Sequence, residues 1–204
     1  ALPEKLMSAT IDAYGKLNII VNNAGYTWDG MLHKMSDEQW QAIIDCHATA
    51  PFRIIRAATP HMREAAKKDG GAEPRAIVNV SSTSGLHGNV GQINYATAKL
   101  GIVGLTKTVA KEWGAFGIRC NAIAFGFIET RLTDAKEKGE SIKVGDKEVA
   151  LGIPEGMRDL ANRTIPLQRA GVPIEAAGGI FFLASPLASY ITGHCLELTG
   201  GTGI

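Results

Sequence analysis

The sequence predicts an α/β protein built on a doubly wound parallel sheet. Short apolar, β-branched runs alternate with longer segments of helical spacing, the pattern of strand–helix–strand units. The polar and glycine-containing turns each follow a strand, which gathers them at the carboxyl edge of the sheet, where such folds bind ligands. At 204 residues, 45% hydrophobic and 20% charged, the chain is long enough for one substantial core and forms a single domain over 1–204.

Taken in order, residues 3–14 have amphipathic helical spacing and stop at Gly15. Residues 17–21 form a buried strand, and Asn22-Asn23-Ala24-Gly25 is the turn leaving it. A loop over 26–35 leads to Ser36, which with Asp37 and Glu38 caps a long helix reaching about Lys68. Trp40, Ile43, Ile44, Phe52 and Ile55 mark its inner side, and Pro51 predicts a kink. Asp69-Gly70-Gly71-Ala72-Glu73-Pro74 is a surface turn. A strand over 75–81, a Ser/Thr/Gly loop and a helix over 94–113 follow. Gly114 and Gly117 bracket the turn into a strand over 118–124. Residues 131–163 change character, with Lys136, Glu137, Lys138, Glu140 and Lys143 and few large apolar side chains. They form either a solvated insertion or a functional loop. A helix over Pro173–Ala184 and a strand over Cys195–Leu198 complete the chain.

Composition excludes several classes. Lys plus Arg number 21 against 20 acids, which gives no electrostatic reason for nucleic acid or an anionic membrane as partner. No apolar run approaches the roughly 20 residues that span a bilayer, and no basic-then-apolar leader is present. Cys46, Cys120 and Cys195 are scattered and odd in number, which fits free thiols in a reducing cytoplasm. The five histidines are dispersed too, so no protein-built metal centre is expected.

The chemistry concentrates in residues 77–107. Tyr95 and Lys99 are four apart, so a helix sets them on one face. Ser82 lies at the strand end thirteen residues before the tyrosine. An ammonium near a phenol favours its ionised form and lowers its pKa. Tyr95 then exchanges a proton with a substrate oxygen, and Ser82 holds that oxygen by hydrogen bonding. A lone Tyr-x-x-x-Lys also occurs as a core aromatic beside a solvated lysine. The preceding strand, the serine spacing and the small residues Ala96, Ala98, Gly101 and Gly104 favour the functional reading.

With Asn22-Asn23-Ala24-Gly25, Gly126-Phe127-Ile128-Glu129-Thr130 and the terminal Thr-Gly-His-Cys-Leu-Glu-Leu-Thr-Gly-Gly run, this segment resembles the short-chain dehydrogenase/reductase family, in particular its 3-oxoacyl-carrier-protein reductases. The resemblance covers nearly the whole chain. It implies a Rossmann-like sheet and interconversion of a ketone and a secondary alcohol with NAD or NADP. By the same resemblance, Tyr95 is the proton donor, Lys99 also grips the nicotinamide ribose, and Ser82 orients the carbonyl. Asn23, Ala24 and Gly25 line the adenosine side, while Ile128 and Thr130 meet the carboxamide end. Residues 131–163 become a substrate lid. Trp28, Leu86, His87, Val90 and Phe127 border the pocket, which suits a fairly apolar carbonyl or alcohol substrate. A homodimer or homotetramer pairs through the helices at 37–68 and 94–113.

Three departures stand out. No Gly-x-Gly-x-x-Gly or Thr-Gly-x-x-x-Gly-x-Gly turn is present, so the N-terminal half of the nucleotide-binding unit is expected to be missing from this sequence. A fragment of a longer reductase is the preferred explanation, because the strand at 17–22 otherwise presents an uncovered apolar edge. His47 stands where the family usually has a catalytic asparagine: either a satisfied helix histidine, or an imidazole ordering the water chain that serves Lys99. Phe125 replaces a proline, which predicts a less rigid turn ahead of Ile128 and Thr130. The competing function is a cofactor-independent serine hydrolase with Ser82 as nucleophile and Tyr95 and Lys99 as its base pair. The absence of a Gly-x-Ser-x-Gly elbow counts against it.

Overall fold

The computed structural model describes residues 2–203. A parallel sheet of β1 (Ile19–Asn22), β2 (Arg75–Ser82), β3 (Ile118–Phe125) and β6 (Cys195–Leu198), in that spatial order, organises the chain. The registers run Ile19 to Ala76, Ile77 to Cys120 and Ala122 to Cys195. Parallel neighbours need long crossovers. The first contains α2 (Asp37–Ile44), α3 (Ala50–Ala57) and α4 (Arg63–Asp69); the second contains α5 (Thr83–His87) and α6 (Ile93–Trp113). The third carries a hairpin of β4 (Ser141–Val144) and β5 (Lys147–Ala150), then α7 (Glu155–Thr164) and α8 (Pro173–Ala184). An opening helix, α1 (Leu2–Tyr14), precedes β1.

The sheet is covered on both faces, which is why β2 is buried from Arg75 to Ser81 and apolar at Ala76, Ile77, Val78 and Val80. Alternation along β2 sends Ile77 to one core, with Met7, Ile20, Ile55, Met62, Trp113 and Ile118. Val78 and Val80 go to the other, with Ile123 and Leu183. Between the layers, Asn22 donates to Asn79 (2.8 Å), which donates to Thr106 (2.9 Å), so the buried amide of Asn79 is satisfied. β1 is the edge strand, and the expected buried strand is buried only at Ile20: Ile19 and Val21 are 51% and 41% exposed.

Several expectations are corrected. The long helix over 36–68 is three shorter helices. Its capping box at Ser36 and Gln39 is as expected of an N-terminus. Downstream the chain widens into a π-turn, Asp45–Thr49, where the Ala50 N–H reaches back to the Asp45 carbonyl. The cause is Pro51, which has no N–H to give and whose ring presses on the carbonyl four residues back. Within these helices Ile43 and Ile55 are buried but Trp40 and Phe52 are exposed. The segment after Ser82 is helical (α5), because the Ser82 hydroxyl accepts from the Ser84 N–H (3.2 Å) and caps it. Residues 131–163, for which no elements are expected from sequence, contain the β4–β5 hairpin and most of α7, with Val149 and Leu151 buried.

Candidate active site

Strands β1, β2 and β3 end together on a cavity of about 740 Å³, a size suited to a small-molecule site. Ser82, Tyr95, Lys99 and His47 all line it, as do Asn23, Gly25, Ile128 and Thr130. Ala24 is not among its lining residues. The expected apolar border fails in four of five positions: Phe127 lines the cavity, but Trp28, Leu86, His87 and Val90 do not. Thr27, Asp29, Ser84, Asn89 and Gln92 line it as well, together with the apolar Leu132, Ile153, Pro173, Ala177 and Ile180.

Helix α6 carries the reacting pair and is anchored at both ends of its first turns. Asn94 is fully buried; its amide donates to the carbonyls of Trp28 and Gln39 (3.1 Å each), and its Oδ1 accepts from the Tyr95 N–H (2.8 Å). Lys99 donates from Nζ to the Val80 carbonyl (2.8 Å), and its own carbonyl accepts from Ser81 Oγ (2.6 Å). Strand and helix are thus bonded beside Ser82. Gly85 permits the closeness of α5 to α6. A Cβ there would lie 2.8 Å from both the carbonyl carbon and Cβ of Lys99 and 2.9 Å from the Leu100 nitrogen. Gly85→Ala is expected to cost about 2 kcal/mol, the usual range for overpacking. Urea denaturation checks this, and an unchanged midpoint would mean that the two helices are free to separate.

Electrostatically, the expected depression of the Tyr95 pKa is absent. Burial pushes the phenol up to about 12, against a hydrogen bond from Ser82 that lowers it; the charges of Asp29 and Cys46 raise it further. Lys99 is 4% exposed, and burial brings its ammonium down to about 8. Its Nζ sits 5.4 Å from the centre of the tyrosine ring while hydrogen-bonded to the Val80 carbonyl. At neutral pH the phenol therefore holds its proton.

His47 lies in the π-turn, 3% exposed, with its ring edge-on to Tyr95 at 5.0 Å. Its Nε2 is 2.7 Å from the Tyr26 carbonyl, which places the proton on that nitrogen; the Tyr26 N–H at 3.4 Å is the weaker contact. Nδ1 is buried without a hydrogen-bond partner. Burial, then the charge on Lys99, drives the imidazole pKa down to about 3, so the ring is neutral. Gly25 makes room for it, since a Cβ there would come within 2.2 Å of His47 Cε1.

The turn after β3 is held without the missing proline. Gly126 donates to Leu198 O (3.0 Å), Gly171 to Phe127 O (2.9 Å) and Glu129 to Gly171 O (2.8 Å). Thr133 donates to the Ile128 carbonyl and accepts from the Thr130 N–H.

Sequence reasoning missed Asn94 and Asp29. The only local signal was position: Asn94 adjoins Tyr95 at the start of a helix, and Asp29 follows the first strand turn. Cys46, Cys120 and Cys195 are free thiols. Among the described residues there is no cluster able to hold a metal, and no helix is long and apolar enough to cross a membrane.

A parallel sheet with its cavity at the carboxyl edge is the architecture of the nucleotide-binding α/β proteins. The family model described as enoyl-(acyl carrier protein) reductase matches residues 3–203. The 3-oxoacyl-(acyl-carrier-protein) reductase of Thermotoga maritima is 39% identical over 198 residues, 97% of this chain and 71% of that protein. Enzymes of the same name from Vibrio cholerae and Synechocystis sp. are each 38% identical over 97% of this chain, covering 71% and 70% of their own lengths. The chain belongs to the short-chain dehydrogenase/reductase family, oxidoreductases that use NAD(P).

Proposed function

We propose that this chain interconverts a ketone and a secondary alcohol, with Tyr95 as the proton donor in reduction. The observation that carries this reading is the meeting of Ser82, Tyr95 and Lys99 on one cavity at the sheet edge. The relatives named as 3-oxoacyl reductases support a 3-oxoacyl-like or other carbonyl substrate.

The residues fit a dinucleotide. Asn23 and Gly25 from the first strand turn would line its adenosine side, and Lys99, Ile128 and Thr130 would hold its nicotinamide end; all five line the same cavity. A reduced nicotinamide, when bound, supplies the hydride. Ser82 donates a hydrogen bond to the carbonyl oxygen and fixes its position. Tyr95 passes its proton to that oxygen as charge develops there. The Lys99 ammonium then stabilises the phenolate left behind. The bare Nδ1 of His47 accepts from a water that serves Lys99, which gives its orphaned lone pair a partner. The β4–β5 hairpin acts within a lid over 131–163. Its Lys147 pairs with Glu38 and lies 5.6 Å over the Trp28 ring, and Gly152 and Ile153 at its base line the cavity. Proteolysis of the hairpin slowed by ketone and NADP together would support that lid; an unaffected rate would count against it.

The deciding experiment is oxidation of NADPH or NADH by the purified chain with a ketone, with the alcohol identified as product. Ester cleavage that needs no nicotinamide and disappears in Ser82→Ala would favour the hydrolase instead.

The chain is also expected to act as a cytoplasmic homodimer or homotetramer. Phe52, Ile55, Leu105, Val109 and Trp113 line a groove of about 380 Å³ between α3 and α6, the surface that helix pairing would cover. Light scattering should return a multiple of 21.6 kDa, and the monomer mass would overturn this.

A further inference from the structure

A chain of polar side chains forms part of the cavity lining. Asn89 Nδ2 donates to Gln92 Oε1 (3.0 Å), and Gln92 Nε2 donates to both oxygens of Asp29 (3.2 and 3.0 Å). All three residues line the cavity that holds Tyr95. Asp29 is also tied in through its backbone. Its carbonyl accepts from Gln39, and the next residue, Gly30, donates to Gly91 O (2.8 Å). The side chain is therefore presented from two fixed segments.

Gln92 occupies one acceptor position on each oxygen, whereas an ionised carboxylate offers about four in all. Among the described residues Asp29 has no ion-pair partner, and Lys136 acts on it only through the longer-range field. Its charge reaches the reacting phenol: after burial and the Ser82 hydrogen bond, Asp29 is the next influence on Tyr95. An alkyl chain laid here would strip water from the carboxylate and return no hydrogen bond, which is unfavourable. A hydroxyl or ammonium would replace the lost water bond with a charge-assisted one.

We infer that Asp29, held by Gln92, selects substrates that carry a hydrogen-bond donor close to the carbonyl, a hydroxyketone or aminoketone over a plain alkyl ketone. This rests on the reductase reading and narrows its substrate class. A site built to accept from a substrate hydroxyl discriminates better than an apolar pocket sized for a methyl group.

Butanone and hydroxyacetone test it, because they differ by a methyl exchanged for a hydroxyl; aminoacetone adds the cationic counterpart. The ratio of kcat/KM for hydroxyacetone over butanone is compared in the unaltered chain, Asp29→Ala and Asp29→Glu, so that intrinsic ketone reactivity cancels. The ratio should fall about tenfold or more in Asp29→Ala, the scale of a hydrogen bond to a charged group, and largely survive in Asp29→Glu. Ligand-observed NMR measures the affinities of the same ketones independently of turnover. If neither ketone is reduced but hydroxyacetone still binds in an Asp29-dependent way, the reductase reading fails and this inference stands. Equal ratios in all three proteins, or a binding preference indifferent to Asp29→Ala, overturn it.

Discussion

Tyr95→Phe is expected to lower the rate of ketone reduction by about a thousandfold, within the usual range for loss of a positioned proton donor. Burial holds the phenol near 12, so it arrives at the carbonyl protonated, and the Lys99 ammonium must offset its weakened acidity as the proton leaves. Phenylalanine keeps the ring that lies edge-on to His47 and the helix that carries it, so circular dichroism and the unfolding midpoint should not move. The loss should appear in kcat more than in KM, because the proton is transferred only as the transition state forms. The pH profile adds a second check. Lys99, lowered to about 8, loses its charge as pH rises through that value and no longer stabilises the phenolate. Reduction by the unaltered chain should therefore decline above pH about 8. If Tyr95→Phe retains activity within a factor of a few, the proton comes from elsewhere and the proposed mechanism is wrong.

Local sequence carried the parts of this site that are themselves local. Tyr95 and Lys99 share a face because a helix forces it, and Ser82 ends a strand whose β-branched run is unmistakable. The direction of the Tyr95 shift was not legible, since it depends on burial by segments far away in sequence and on Lys99 bonding to the Val80 carbonyl rather than approaching the hydroxyl. Asp29 and Asn94 escaped for the same reason. The bonds that reveal them, Gln92 to Asp29 and Asn94 to Trp28, span 63 and 66 residues. Their residue types are unremarkable in a loop or at a helix start. The apolar border that the resemblance implies is met only at Phe127. Leu86 and Val90 flank the right segment but do not line the cavity. Pro51 marks a disturbance, as its residue type predicts, but the disturbance lies in the turn before it.

That same π-turn sets up the other large effect. His47 is expected to make the fold acid-sensitive, and removing it should make the chain more acid-tolerant. In the folded chain its imidazole is held near 3 by burial and by the Lys99 charge, against 6.5 for the ordinary group. Because the folded value is the lower one, the unfolded chain binds the extra proton first. Stability is complete above pH about 6.5 and is lost as pH falls toward 3. Each pH unit in that window costs about 1.4 kcal/mol, so roughly 3 kcal/mol disappears between neutral pH and pH about 4. Beyond burial and the Lys99 charge, a proton added at Nδ1 would find no protein acceptor to donate to, while Nε2 is already committed to the Tyr26 carbonyl. Lys99 stays charged throughout and keeps opposing the new charge. His47→Asn retains an amide donor but does not titrate. Urea denaturation at neutral pH and at pH about 4 should therefore show a drop smaller by about 3 kcal/mol in the variant. Carboxylates such as Asp69 and Glu175 lose their own stabilisation on acidification, but they do so in both proteins and cancel in the difference. Parallel curves for the two chains would show that the imidazole takes up its proton without leaving its site, and the neutral buried ring on which the water-ordering role depends would have to be given up.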